Sequence, residues 1–123
     1  MSTEPVTLYH RLGRVEGIGR IVDDVMTAHL ANPVIRTRFE HAKDLGRARR
    51  MAVEFFCAGS GGPESYTGLD LVTAHTGMNV SEQEYMAAMD DIVAALEKND
   101  IDPQTRGEVV AILYSLKGQV MRM

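Results

Sequence analysis

The chain has 123 residues, of which 45% are hydrophobic and 24% charged, and its net charge is −4. This balance is typical of one folded domain over residues 1–123 and excludes a disordered chain. The mildly acidic charge argues against a general nucleic-acid binder or an anionic-membrane binder. No run of about 18 apolar residues occurs, so no membrane span is predicted. A single cysteine and a polar start without a secretory pattern favour a cytoplasmic protein.

Apolar residues recur at helical spacing through the first half of the chain. One stripe between residues 15 and 30 consists of Ile18, Ile21, Val22, Val25, Met26 and Leu30. Asn32-Pro33 predicts the end of this helix and the start of a short one, with Pro33 at its first position. A second long helix is predicted from Asp44, with one face made of Leu45, Ala48, Met51, Ala52, Phe55 and Phe56. The glycine-rich residues 58–63 then predict a break.

The second half continues in the same way. A short apolar segment, residues 69–74, ends in His75, and Gly77 stops it. Ser81 and Glu84 have the spacing of a capping box, which predicts the start of a third long helix. Asp102-Pro103 predicts the start of the last one. The sequence therefore predicts an all-α fold with four substantial helices and short helical pieces between them.

Few residues carry a recognisable chemistry by themselves. The four histidines include no His-Glu-x-x-His pattern, and Cys57 has no zinc-ligand partner nearby. His75 is the most interesting titratable residue, because a neutral imidazole there could bind a metal through one nitrogen. The simpler interpretation is a helix-terminal histidine that the helix dipole stabilises. Met26 and Met51 lie in the apolar stripes of two helices, where core filling is the simpler interpretation.

Three stretches together resemble the truncated haemoglobins, most closely their first group. Residues 8–13, Leu-Tyr-His-Arg-Leu-Gly, resemble the opening motif Leu-Tyr-x-x-Leu-Gly. The Gly-Gly-Pro of residues 61–63 and the Tyr-Thr-Gly of residues 66–68 resemble the glycine motif and the turn before the haem-binding segment. Thr-Ala-His at residues 73–75, followed by Gly-Met-Asn, resembles that segment itself. The resemblance covers nearly the whole chain and implies a truncated globin fold, a two-over-two helical sandwich around haem b.

The resemblance also implies roles for individual residues. His75 matches the proximal histidine that binds the haem iron, and Phe39 matches the aromatic residue that packs against the porphyrin. Arg47 falls near a haem propionate in the family, although a plain surface arginine is an equal alternative. The remaining residues expected around the cofactor are Met26, Ala48, Ala52, Phe55, Tyr66, Leu71 and Met78. Leu69 and Val72 stand where the family often has basic residues, so Arg47, Tyr66 or another residue would have to anchor the propionates.

The distal side departs from the family. Val25-Met26 stand where the family has Phe-Tyr, and Ala48 and Ala52 stand where it often has polar residues such as glutamine. A hydrogen bond from such a donor to bound oxygen contributes about 1.5 to 3 kcal/mol. The sequence therefore predicts an apolar distal pocket that retains oxygen poorly, while carbon monoxide and nitric oxide depend less on a donor.

Two interpretations of the sixth iron position remain open. It is open or water-bound, or a methionine sulfur fills it, with Met51 ahead of Met26. His29 and His41 are weaker candidates for this role. In the first case the protein binds diatomic gases (oxygen, nitric oxide or carbon monoxide). In the second it is a small electron-transfer or redox-sensing protein with His–Met ligation, which favours ferrous iron.

Partners follow from the same resemblance. Oxidation of nitric oxide by bound oxygen would need an external reductase, because the chain has no flavin or nicotinamide motif. The expected oligomeric state is a monomer or a weak homodimer. A helical interaction module without haem is the remaining alternative, and it predicts a chain that purifies colourless and refuses hemin.

Overall fold

The computed structural model describes residues 7–40 and 44–122, and these residues are mainly helical. The helices are α1 (Leu8–Arg11), α2 (Arg14–Ala31), α3 (Arg36–Glu40), α4 (Leu45–Gly59), α5 (Leu71–His75), α6 (Glu82–Lys98) and α7 (Pro103–Leu116), followed by a 3₁₀ turn (Lys117–Gln119). Within these described ranges there is no strand, and the one isolated bridge joins Val80 and Met121. The predicted all-α fold is confirmed.

Capping side chains define the starts of α4, α5, α6 and α7, and Thr7 caps α1 in the same way. Asp44, Asp70 and Asp102 each accept a hydrogen bond from the backbone N–H three residues further on, at the starts of α4, α5 and α7. Ser81 and Glu84 form the reciprocal capping box at the start of α6. These groups satisfy N–H donors that a helix N-terminus otherwise leaves unpaired. The predicted starts at Asp44, Ser81 and Asp102 are confirmed.

The predicted start of the short third helix at Pro33 is wrong. The carbonyl of Asn32 accepts from the N–H of Ile35 at 3.2 Å and of Arg36 at 2.8 Å, and its side chain accepts from the N–H of Val34 at 3.0 Å. Residues 33–35 are therefore a turn, and α3 begins at Arg36. Asn32 ends α2 and shapes this turn instead of capping α3.

Two helix pairs form the layers of the fold, α2 with α4 and α6 with α7. The long helix α2 packs against α4 and α6, and α6 packs against α7. The main core between them consists of Tyr9, Leu12, Ile18, Ile21, Val22, Val25, Cys57, Ala95, Leu96 and Val109. A smaller cluster consists of Val80, Tyr85, Met89 and Val120. In the described part of the chain, no helix is long and apolar enough to span a bilayer.

Candidate functional site

A large cavity lies beside the smaller core cluster. Its volume is about 250 Å³. The residues that line it come from α2 to α7 and the adjoining turns: His29, Ile35, Arg38, Phe39, Phe55, Leu71, His75, Met78, Val80, Glu84, Tyr85, Ala88, Leu113, Leu116 and Val120. The walls are mostly aliphatic and aromatic, and they include two histidines and one arginine–glutamate pair.

His75 enters this cavity from the end of the short helix α5. Its Nδ1 lies 2.8 Å from the carbonyl oxygen of Leu71, one turn earlier. A carbonyl only accepts hydrogen bonds, so Nδ1 must carry the hydrogen and Nε2 keeps its lone pair. Histidines that bind metals typically donate their other ring N–H in this way. The local helix therefore fixes both the tautomer and the orientation of the imidazole.

The segment after His75 is held from two other elements. The Met78 N–H donates to the His75 carbonyl at 3.0 Å, and the Met78 carbonyl accepts from Arg38 Nη2 at 3.0 Å. Arg38 of α3 also forms a bidentate pair with Glu84 of α6, in which Nη2 lies 3.1 Å from Oε1. This guanidinium holds the pKa of Glu84 down at about 2. The pair thus ties the His75 side of the cavity to the helix that carries Phe39.

Phe39 lines the cavity and stacks on a buried histidine. The rings of Phe39 and His29 have centroids 4.8 Å apart and planes inclined by 28°. His29 is only 6% exposed, and its Nδ1 lies 2.8 Å from Oδ2 of Asp91 on α6. Asn32 donates from Nδ2 to both carboxylate oxygens of Asp91, each at 3.2 Å. This polar network joins α2 to α6 directly behind the aromatic wall.

Phe55 lines another wall of the cavity and packs against Tyr66. Their rings meet edge-on, with centroids 5.4 Å apart and planes at 81°. The Tyr66 hydroxyl donates to the backbone carbonyl of Leu69 at 2.6 Å. Tyr66 therefore braces the segment that leads into α5, and it is not among the cavity-lining residues.

The remaining predicted residues lie outside the lining. Met26 and Ala52 pack against the main core cluster. Ala48 and Met51 are half-buried on α4, and Arg47 is exposed there. His41 lies outside the described residues. The structure thus brings together Phe39, Phe55, Leu71, His75 and Met78, whose roles toward a cofactor stay predictions.

Sequence reasoning named His29 only as a weaker candidate for the sixth iron position, and it missed Arg38, Glu84 and Tyr85 as lining residues. His29 had a local signal, because it falls one turn after Val25 on the buried stripe of α2. Arg38 and Glu84 had none, since the two residues are 46 positions apart. Tyr85 lines the cavity from the first turns of α6 and donates its hydroxyl to the carbonyl of Leu113.

A family model for bacterial-like globins matches residues 7–122. The chain belongs to the bacterial-like globin family. This globin is 25% identical over 119 residues to the group 1 truncated hemoglobin GlbN of Mycolicibacterium paratuberculosis, a match that covers 97% of this chain and 87% of that protein. It is 23% identical to the group 1 truncated hemoglobin of Tetrahymena pyriformis over 89% of this chain and 90% of that protein.

Solved structures agree on the fold. The Fe(III) form of the Tetrahymena pyriformis truncated hemoglobin superimposes with a TM-score of 0.91, at 20% identity, over 95% of this chain and 99% of that one. The group II truncated hemoglobin of Bacillus anthracis gives 0.88 at 19% identity, over 98% of this chain and 95% of that one. The predicted resemblance to truncated haemoglobins and the two-over-two fold are confirmed.

Haem is the cofactor that membership of this family implies. The residues of the cavity fit that group. The imidazole of His75 directs Nδ1 to a backbone carbonyl, so Nε2 of the neutral ring keeps its lone pair. The surrounding walls are predominantly apolar and aromatic, as a porphyrin face requires.

Proposed function

We propose that this globin binds a diatomic gas reversibly at the iron of haem b, with His75 as the proximal ligand. The observation that carries the proposal is the 2.8 Å distance between His75 Nδ1 and the Leu71 carbonyl oxygen, which leaves Nε2 of the neutral imidazole for a metal in the cavity. Haem, when bound, supplies an iron with one further position for a gas ligand. Axial imidazole is a principal means by which a protein adjusts that iron.

The other cavity residues have supporting roles in this proposal. Phe39 and Phe55 pack against the porphyrin, and Leu71 and Met78 cover the side of His75. These walls exclude water, which strengthens each electrostatic interaction inside the cavity. The cavity walls are mostly apolar, so we expect oxygen to be retained less well than carbon monoxide.

Redox chemistry and location complete the proposal. Turnover of nitric oxide would depend on an external reductase that returns the iron to its ferrous state. The lone thiol, Cys57, is fully buried and free, and it needs no oxidising environment. We therefore assign the protein to a reducing cytoplasm.

Hemin titration of the purified protein tests the role of His75. We expect wild-type protein to bind one hemin and, once reduced, to show a five-coordinate spectrum that changes with carbon monoxide. His75→Gly should lose this spectrum and regain it when free imidazole is added, because imidazole can replace the missing side chain. His10→Gly is the matched control, since His10 is exposed on α1 and does not line the cavity.

Two results would contradict the proposal. A His75→Gly variant with the wild-type spectrum would mean that another residue holds the iron. Six-coordinate bands in both oxidation states that disappear in Met51→Leu would favour the electron-transfer alternative. We expect no change in Met51→Leu, because Met51 does not line the cavity.

A further inference from the structure

His29, a buried histidine that pairs with Asp91, lines the cavity and has no part in the proposed function. The side chain of His29 is 8% exposed and that of Asp91 is 15% exposed, and their closest atoms are 2.8 Å apart. Burial of such groups is costly unless they are paired. Two apolar residues would be sufficient if this wall were needed only for packing. The position of the pair beside the cavity therefore indicates a functional role.

The hydrogen bonds determine which atom of His29 is free to react. An ionised carboxylate only accepts, so Nδ1 of His29 donates to Asp91 and carries the hydrogen. Asn32 donates to both oxygens of the same carboxylate, which fixes its orientation. No described residue forms a hydrogen bond with Nε2 of His29. In the neutral imidazole, Nε2 is therefore a proton acceptor.

Further ion pairs involve the helices that pack against α2. On α3 and α6, Arg38 forms its bidentate pair with Glu84. On α4, Arg49 pairs with Asp23 of α2. Of these groups, the Asp91 carboxylate is the one that faces the His29 imidazole. His75, the second imidazole of the cavity, is directed by Leu71 and has no carboxylate partner among the described residues.

Resting on the proposed function, we propose that His29 and Asp91 form a proton-uptake site that compensates negative charge entering the cavity. When a one-electron donor reduces the cofactor, or when a small anion binds, one proton from solvent binds Nε2 of His29. The only covalent bond formed is this N–H bond, and the pair becomes imidazolium and carboxylate. One electron and one proton enter together, so the net charge of the interior does not change.

The physical reason is the cost of unbalanced charge in an apolar cavity. Coulomb interactions act strongly where water is excluded, so added negative charge raises the proton affinity of a nearby imidazole. By the same linkage, a proton on His29 makes reduction more favourable. Raising the pH removes this proton, and the midpoint potential of the cofactor should then fall.

Spectroelectrochemical titration of the hemin-loaded protein from about pH 5 to pH 9 tests this coupling, because that range brackets ordinary imidazole titration. With one proton per electron, the wild-type potential should fall by about 59 mV for each tenfold drop in proton concentration. His29→Phe keeps a ring to stack on Phe39 and removes the proton site. The slope of its midpoint potential against pH should therefore be no more than about half that of wild type.

Two further variants complete the test, of which Asp24→Asn is the control. Asp24→Asn removes a polar link between α2 and α6 that involves Lys98 and Asn99 and does not line the cavity, so its slope should match wild type. Asp91→Asn keeps a hydrogen-bond acceptor for His29 and removes the charge. The pH range over which the midpoint potential of this variant changes should shift to lower pH. A purely structural role of Asp91 would not produce this shift.

Several outcomes would overturn the proposal. Equal slopes in wild type and His29→Phe would remove the role of His29. A ferric spectrum that changes from six- to five-coordinate in His29→Phe would make His29 an iron ligand instead of a proton site. If His29→Phe does not fold, an Asp91→Asn profile identical to wild type overturns the proposal. Wild-type protein that binds no hemin refutes the proposed function itself, and a gas-binding protein with a flat profile refutes only the present inference.

Discussion

Replacing Glu84 with glutamine should destabilise the protein at neutral pH but hardly at pH 2. Pairing with Arg38 lowers the pKa of Glu84 from 4.5 to about 2, which corresponds to at most about 3.4 kcal/mol of stability. The side chains of Arg38 and Glu84 are 30% and 19% exposed, so water screens the pair. We therefore expect a loss of about 1 to 2 kcal/mol at pH 7.

The sign of the pH dependence follows from the lowered pKa. The contribution of Glu84 is fully present above its unfolded-state value of 4.5 and is lost as the pH falls toward its folded-state value of about 2. Glutamine can still accept the N-terminal hydrogen bond of α6, so Glu84→Gln removes the charge while keeping the capping box. The difference between variant and wild type should therefore close on acidification.

Urea unfolding followed by far-ultraviolet circular dichroism, at about pH 7, 4 and 2, measures this difference. Glu82→Gln is the control on the same helix turn, because Glu82 is 64% exposed and pairs with Lys117 on the surface. We expect its effect to stay below about 0.5 kcal/mol. A Glu84→Gln deficit that is equally large at pH 7 and pH 2 would refute the electrostatic reasoning.

Two further predictions concern packing and reactivity. A Cβ on Gly62 would lie 2.5 Å from a ring carbon of Tyr9 and 2.9 Å from the Cys57 carbonyl oxygen, so Gly62→Ala should cost about 1 to 3 kcal/mol in urea unfolding. A Cβ on Gly107, inside α7, meets nothing within 4 Å, so Gly107→Ala should stabilise the protein by about 0.4 to 1 kcal/mol. If both glycine substitutions changed the stability in the same direction, this packing argument would be wrong. Burial raises the pKa of Cys57 to about 11, so a thiol reagent at about pH 8 should modify it only after unfolding, and rapid labelling of folded protein would contradict this.

The sequence alone determined most of the helices and where they start. Capping at Asp44, Ser81 and Asp102 depends on atoms within three or four residues, so the local pattern contains the information. The start of α3 was missed because Asn32 can either cap a helix or close a turn. Its side chain also bonds Asp91, which lies 59 positions away. No local pattern decides between such alternatives.

The functional site also combines features that the local sequence predicts with features that depend on tertiary packing. His75 could be singled out from its short apolar segment and from the family resemblance, while the hydrogen bond that fixes its tautomer required the coordinates of α5. Only the packing of α2 against α6 brings His29 to Asp91, which is 62 positions away, and leaves Met51 outside the cavity lining. Helix periodicity tells which face of a helix is apolar, but the relative placement of helices decides what that face meets. That placement depends on long-range contacts that the local sequence does not encode.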